Sequence, residues 1–195
     1  MESESLALVA IVAGVVVAIA IAVVAARKSK AQRSAALREN FGPEYEHALH
    51  EHGNLALAER DLMARQKRRE ELDIRLLSAD QCARFGAAWS NVQQRFVDDP
   101  AGAVAEADLL VKDVMKTRGY PMGNFEQRVA DLSVEHANVV QHYRAARSIA
   151  HDSASGHAGT EELRQAMVHY RALFQDLLQT ADAAFAPPPL REARA

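Results

Sequence analysis

The chain has 195 residues, with 23 Lys and Arg against 26 Asp and Glu, a formal net charge of −3 and one cysteine. A balance this close to neutral gives no bulk electrostatic reason to bind nucleic acid, and none is expected as a partner. The solitary Cys82 excludes an intrachain disulfide framework, in keeping with a reducing compartment.

After a short N-terminus, residues 1–5, comes the run 6–26, LALVAIVAGVVVAIAIAVVAA, without charge, proline or amide. As a helix its 21 residues cover about 30 Å, the thickness of a bilayer hydrocarbon core. Lipid offers no partner to backbone N–H and C=O, so such a run crosses only as a helix. A cleaved signal peptide fits less well, because Glu2 and Glu4 stand where a basic region belongs and the apolar core is long. Arg27, Lys28, Lys30 and Arg33 follow the run. Cations near a membrane stay on the cytoplasmic side, so the N-terminus is expected outside and the C-terminal domain inside. Arginine outnumbers lysine 18 to 5 and alanine is abundant, as in GC-rich bacterial coding, so the expected address is the bacterial cytoplasmic membrane. These four cations are expected to meet acidic lipid headgroups. Ala10, Gly14, Ala18, Ala22 and Ala26 recur every four residues, a small-residue stripe that suits close approach of two such helices and hence a homo-oligomer. Nine of the 21 positions are Ala or Gly, so composition alone also produces such a stripe.

Residues 27–40 read as a basic juxtamembrane stalk of helix formers, broken at Phe41-Gly42-Pro43. Residues 41–77 then hold a short helix over 44–51, closed by Gly53, and a charged amphipathic helix capped by Asn54 and running to Leu72 or Ile74. Leu55, Ala58, Leu62 and Leu72 form its apolar stripe, with Arg65 and Arg69 interrupting it.

A helical bundle is expected over 78–182. Ser78 and Gln81 make a capping box, and Cys82, Phe85, Trp89, Val92 and Phe96 recur at three and four. Asp99 caps the next helix with Pro100 in its first turn; Val104, Ala107, Val111 and Val114 or Met115 face inward, and Gly119 and Pro121 end it. Asn124 opens a third helix through Leu132, interrupted near Ser133 and resumed over 135–151, with Val129, Leu132, Val139, Val140, Tyr143 and Ile149 apolar. Residues 152–159 read as a flexible connection. Thr160 is the expected cap of the last helix, whose face is Leu163, Met167, Tyr170, Phe174, Leu177 and Leu178. Residues 183–195 read as a disordered Pro-rich tail. The fold class is all-α: a transmembrane helix, shorter N-terminal helices, and about four principal helices in a bundle.

The strings FGPEYEHAL at 41–49, DIRLLS at 73–78, RFVDDPAGAVAEADLLVKDVM at 95–115, RGYP at 118–121, FEQRVADLSVEH at 125–136 and MVHYRALFQDLL at 167–178 resemble an uncharacterised group of bacterial proteins. That group pairs one N-terminal membrane helix with a helical domain, and the resemblance covers most of the chain from Leu37 onward. It implies the same architecture and brings no activity, cofactor or catalytic residue.

Among chemical constellations, His47, His50 and His52 sit near Glu44, Glu46 and Glu51, and Glu44 to His47 has the spacing of one half of a di-iron site. A second such motif is lacking, so a solvated helix face is expected there, and no metal or cofactor. His136, His142 and His169 lie on separate helical segments. The cluster Arg65–Arg69 is expected to be an exposed face laced by the pairs Asp61–Arg65, Lys67–Glu71, Arg69–Asp73 and Glu71–Arg75, with a nucleic-acid phosphate backbone or anionic lipid headgroups as the alternative partners. Cys82 on an apolar stripe reads as an inert thiol, and Asp98–Asp99 as a helix stop and cap. Arg118–Pro121 reads as a turn, or else a docking rim with 131–136. No nucleophile elbow, phosphate loop or zinc-protease helix occurs, and no catalytic residue is expected. The expected function is a membrane-tethered scaffold, adaptor or regulatory subunit with an unidentified protein partner. The alternatives are a histidine-based ligand or metal sensor and an enzyme of unrecognised type.

Overall fold

The computed structural model describes residues 2–178, with side chains described at Gly14 and from Ala18 onward. Its described residues form eight helices and no strand: α1 (Glu2–Phe41), α2 (Pro43–His52), α3 (Leu55–Glu70), α4 (Ala79–Arg95), α5 (Pro100–Arg118), α6 (Phe125–Ser133), α7 (Ala137–Ala154) and α8 (Thr160–Leu177). The tail 183–195 and residues 179–182 of the expected bundle lie outside the described residues, as do the side chain of Ala10 and most others in the first half of the run 6–26. Among the described residues no helix is long and apolar enough to cross a membrane.

α1 is unbroken from the apolar run through the basic stalk, and its last turn enters the protein core. Leu37 and Phe41 are buried with Tyr45 and Ala48 of α2 and with Ala58 and Leu62 of α3. Farther back, Ile19, Ile21, Val23 and Val24 are exposed. Gly42 ends the helix at φ +46, and Pro43, lacking a backbone donor, starts α2 at no cost in hydrogen bonds. Asn54 accepts from the N–H groups of Ala56 and Leu57, capping α3 as expected.

The second core lies in the bundle. α8 packs along α7 and α5, and α5 along α4. Small buried residues bring the axes close: Ala103 and Ala107 on α5, Ala146 on α7 and Ala166 on α8. α4 meets α8 through large side chains, with Trp89 stacked on Phe174 at 4.8 Å between centroids. The expected faces of α4, α5 and α8 are the buried ones, Val114 and Met115 both being inside; Cys82 and Phe96 are half-buried at the ends of their seam. The Ser78–Gln81 capping box forms, and Asp99 accepts from Gly102 N at 2.9 Å.

Several boundaries differ from the expectation. α3 stops at Glu70 because the chain beyond it finds tertiary partners: Arg75 N donates to Arg118 O at 2.9 Å, and Arg118 Nε donates back to Arg75 O. Leu55 is exposed, since the first turn of α3 projects past the cluster that buries Ala58 and Leu62. α7 runs three residues into the supposed flexible connection, to Ala154, before Gly156 turns the chain at φ +73. The cap of α8 is Gly159, whose N–H donates to Glu162 Oε2 at 2.7 Å, and Thr160 is already helical.

Candidate functional site

The most concentrated polar chemistry lies where α2 and α3 meet α6 and α7. Glu44 has no exposed surface. Its carboxylate accepts a two-pronged contact from Arg144, a bond from Gln141 Nε2 at 2.7 Å, and one from Arg65 at 3.5 Å. Arg65 also pairs with Asp61 at 2.7 Å and reaches Ser133 Oγ at 3.3 Å. One turn on, Arg68 Nε donates to the buried Asp131 at 2.8 Å, with Gln127 supporting the same oxygen. Arg69 then pairs with Glu135 on the α6–α7 connection. Three arginines of α3 therefore each find a carboxylate outside α3, on α2, α6 and the α6–α7 connection.

This corrects two expectations. Glu44 belongs to no solvated face; it is the buried anion that holds two guanidiniums. The Arg65–Arg69 cluster is a tertiary clasp, and of its expected local pairs Asp61–Arg65 forms while Arg69 takes Glu135 in place of Asp73. The physical reason is desolvation: a buried charge must be paired and hydrogen-bonded, and cross-helix partners do this in a drier place than i,i+4 neighbours.

The clasp continues into Arg118–Pro121. Arg118, buried, donates to Leu177 O at 3.2 Å and lies 3.3 Å from Nε2 of His136, whose Nδ1 bonds Asp176. Tyr120 OH donates to Glu135 at 3.0 Å. Burial, and then the Glu135 charge, push the Tyr120 phenol far above its ordinary value. Burial alone raises Glu135, but the bonds from Arg69 and Tyr120 outweigh it and hold the carboxyl below the usual range. This segment is a structural turn that ties the ends of α5, α7 and α8, not an open rim.

Beside the clasp, a polar cleft of about 300 Å³ is lined by Asp61, Arg65, Asn124, Gln127 and Arg144 among others. Both of its guanidiniums are already neutralised by Glu44 and Asp61, which leaves no unpaired cation for an anionic ligand. A second cleft between α4 and α8 is apolar, with Trp89, Phe96, Met167 and Val168 between the exposed Arg164 and Arg171.

Of the histidines, His142 and His169 meet at 2.9 Å between their Nδ1 atoms, on facing turns of α7 and α8. Burial and then His142 lower the pKa of His169. His136 is held apart, at the Arg118 node. Among the described residues no group of three or more His, Cys, Asp or Glu is placed to hold a metal ion. Cys82 Sγ faces Leu178 O at 3.3 Å, and burial pushes its thiol up, away from the reactive thiolate.

Arg27, Lys28, Lys30 and Arg33 are exposed along α1, as are Gly14, Ala18, Ala22 and Ala26 of the small-residue stripe. Among the described residues nothing lies within 4 Å of where a side chain at Gly14 would begin. The clasp residues Glu44, Arg144 and Asp131 were missed by sequence reasoning, although a signal was present: Phe41, Glu44, Tyr45 and Ala48 fall at i, i+3, i+4 and i+7. A carboxylate on an apolar stripe implies a buried partner. No protein family, curated protein or solved structure matches the chain.

Proposed function

We propose that the chain is a single-pass protein of the bacterial cytoplasmic membrane whose helical bundle works on the cytoplasmic side as a scaffold, adaptor or regulatory subunit. The observation that carries this reading is the continuity of α1. One helix holds the apolar run with its exposed Ile19, Ile21 and Val24, then the cations Arg27–Arg33, then the buried anchors Leu37 and Phe41. Exposed β-branched residues in a row are costly in water and natural in lipid. The tether is thus an extension of the domain, without a hinge.

For the bundle, binding is favoured over chemistry. The charged groups of the clasp are paired with one another, and the α4–α8 cleft offers an apolar floor between two arginines, suited to an amphipathic segment of a protein partner. The sensor reading rests on His142 and His169, two facing imidazoles. The small-residue stripe with Gly14 and Ala18 supports association of two copies in the membrane.

Alkaline extraction of membranes from cells expressing the full chain tests the tether: retention in the pellet supports it, and release overturns it. Crosslinking in the same membranes tests the adaptor: a protein recovered with the intact chain and lost when Arg164 and Arg171 are replaced by Glu supports it. Stoichiometric metal in the purified chain, lost with His142→Ala, favours the sensor.

A further inference from the structure

Resting on the membrane reading above, the fold brings a second part of the chain back to the level where α1 leaves the domain. α2 reverses from Phe41 and, with 10 residues, returns about 15 Å along α1. α3 then runs in the same direction as the stalk. Its Ala56, Glu59 and Met63 line one cleft with Ala26, Lys30 and Arg33, while Arg65, farther along, reaches Glu44 beside the end of α1. The start of α3 therefore lies level with residues 26–30, the end of the apolar run and the basic collar.

That corner carries apolar side chains with no cover. Leu55 is 41% and Leu57 52% exposed. Helical side chains lean toward their own N-terminus, so both lean in the direction of the apolar run. The corner's backbone is prepared for a less aqueous setting: Asn54 accepts from the N–H groups of Ala56 and Leu57, and Gly53 N donates to Leu49 O at 2.9 Å. The charges nearby also suit a lipid surface. Arg27, Lys28, Lys30 and Arg33 outnumber Glu51 and the buried Glu59, which Tyr45 bonds, while Asp61 is paired with Arg65.

We infer that the α2–α3 corner, residues 53–57, seats in the headgroup layer of an anionic bilayer as a second membrane contact beside the spanning helix. Two contacts fix the rotation of the bundle about the axis of α1, which one helix alone leaves free. The same face of the bundle is then always turned along the membrane.

The test uses the full chain with Cys82→Ser, reconstituted into phosphatidylcholine–phosphatidylglycerol vesicles, with a fluorophore on Leu57→Cys, Leu55→Cys, Ile21→Cys or Leu76→Cys. Leu76 is a matched reference, 41% exposed beyond the far end of α3. Nitroxide-bearing lipids act as quenchers. The expected result is deep quenching of the Ile21 probe by acyl-chain nitroxide. Quenching of the Leu55 and Leu57 probes by headgroup-level nitroxide is expected to be several-fold that of the Leu76 probe. If the Ile21 probe is quenched while the corner probes match Leu76, the corner contact is overturned and the tether stands. Self-quenching between corner probes without lipid quenching assigns the corner to a second copy and also overturns it. An unquenched Ile21 probe overturns the tether and this contact together.

Discussion

Glu44 and Arg144 stand 100 residues apart in sequence, and the carboxylate of the first, without exposed surface, takes both prongs of the second. This pair joins α2, the helix that follows α1, to α7, which packs along α8. Removing one partner of a buried ion pair leaves the other charged and unpaired, at a cost of about 3–5 kcal/mol. Glu44→Ala is expected to lose that much stability in chemical denaturation of the purified chain. Glu44→Ala with Arg144→Leu together are expected to lose less than the sum of the two single changes.

The basic residues of α3 divide by partner and not by sequence. Arg65 is mostly buried between Glu44, Asp61 and Ser133, whereas Lys67 is exposed. Arg65→Ala is expected to cost about 2–4 kcal/mol by stranding buried acceptors. Lys67→Ala, an exposed change, should stay within about 0.5 kcal/mol. Equal losses in paired denaturation curves would contradict the clasp.

Gly119 and Gly53 both end helices at positive φ, but only one is crowded. A Cβ at Gly119, φ +101, meets Asp73 O at 2.3 Å, a backbone atom that cannot swing away; at Gly53, φ +60, nothing lies within 4 Å. Gly53→Ala is expected to cost about 1–2 kcal/mol, the usual strain of a left-handed alanine. Gly119→Ala adds a displaced segment 73–75 and the loss of its bonds to Arg118, so its melting temperature should fall distinctly further.

The His142–His169 pair makes stability depend on pH in one direction. His169 has its pKa lowered in the fold, by burial and then by His142. As pH falls through the ordinary imidazole value near 6.5, the unfolded chain therefore takes up its proton first, and stability drops. Above that value the contribution is constant. Melting curves between pH 7.5 and 5.5 should show this loss, and His169→Gln should flatten it. A variant as pH-sensitive as the wild type in that window would exclude the pair as the source.

Much of the fold was legible because helix signals are local. The capping box at Ser78, the Asp99–Pro100 start, the Gly119 stop and the three-four spacing of Phe85, Trp89 and Val92 need only neighbours in sequence to act, and each acts as expected. The weaker boundaries failed for the same reason in reverse. At 71–77 the segment is taken from α3 by hydrogen bonds to Arg118, more than 40 residues away. At Thr160 an ordinary cap residue gave way to Gly159, whose backbone N–H already had Glu162 to bond.

The candidate site was hardly legible. Arg65 and Arg69 continue the stripe of Ala58 and Leu62, and Glu44 shares one with Tyr45 and Ala48. A charge on an apolar stripe reads equally as an interruption of the seam or as one half of a buried pair. Which it is depends on whether a complementary charge arrives from elsewhere.

By itself the sequence determined that the chain is all-helical, where most helices begin, which faces turn inward, and that an uninterrupted apolar run precedes a basic stalk. Spacing, capping and hydropathy act over a few residues, so the chain carries them wherever it goes. Only the tertiary structure decided that the stalk enters the core through Leu37 and Phe41, and that three arginines of α3 meet carboxylates from α2, α6 and the α6–α7 connection. It alone decided that the corner at Leu55–Leu57 returns to the level of the basic collar. Those relations depend on which helices become neighbours and at what depth. Desolvation then turns charges that would be indifferent in water into pairs that must be satisfied.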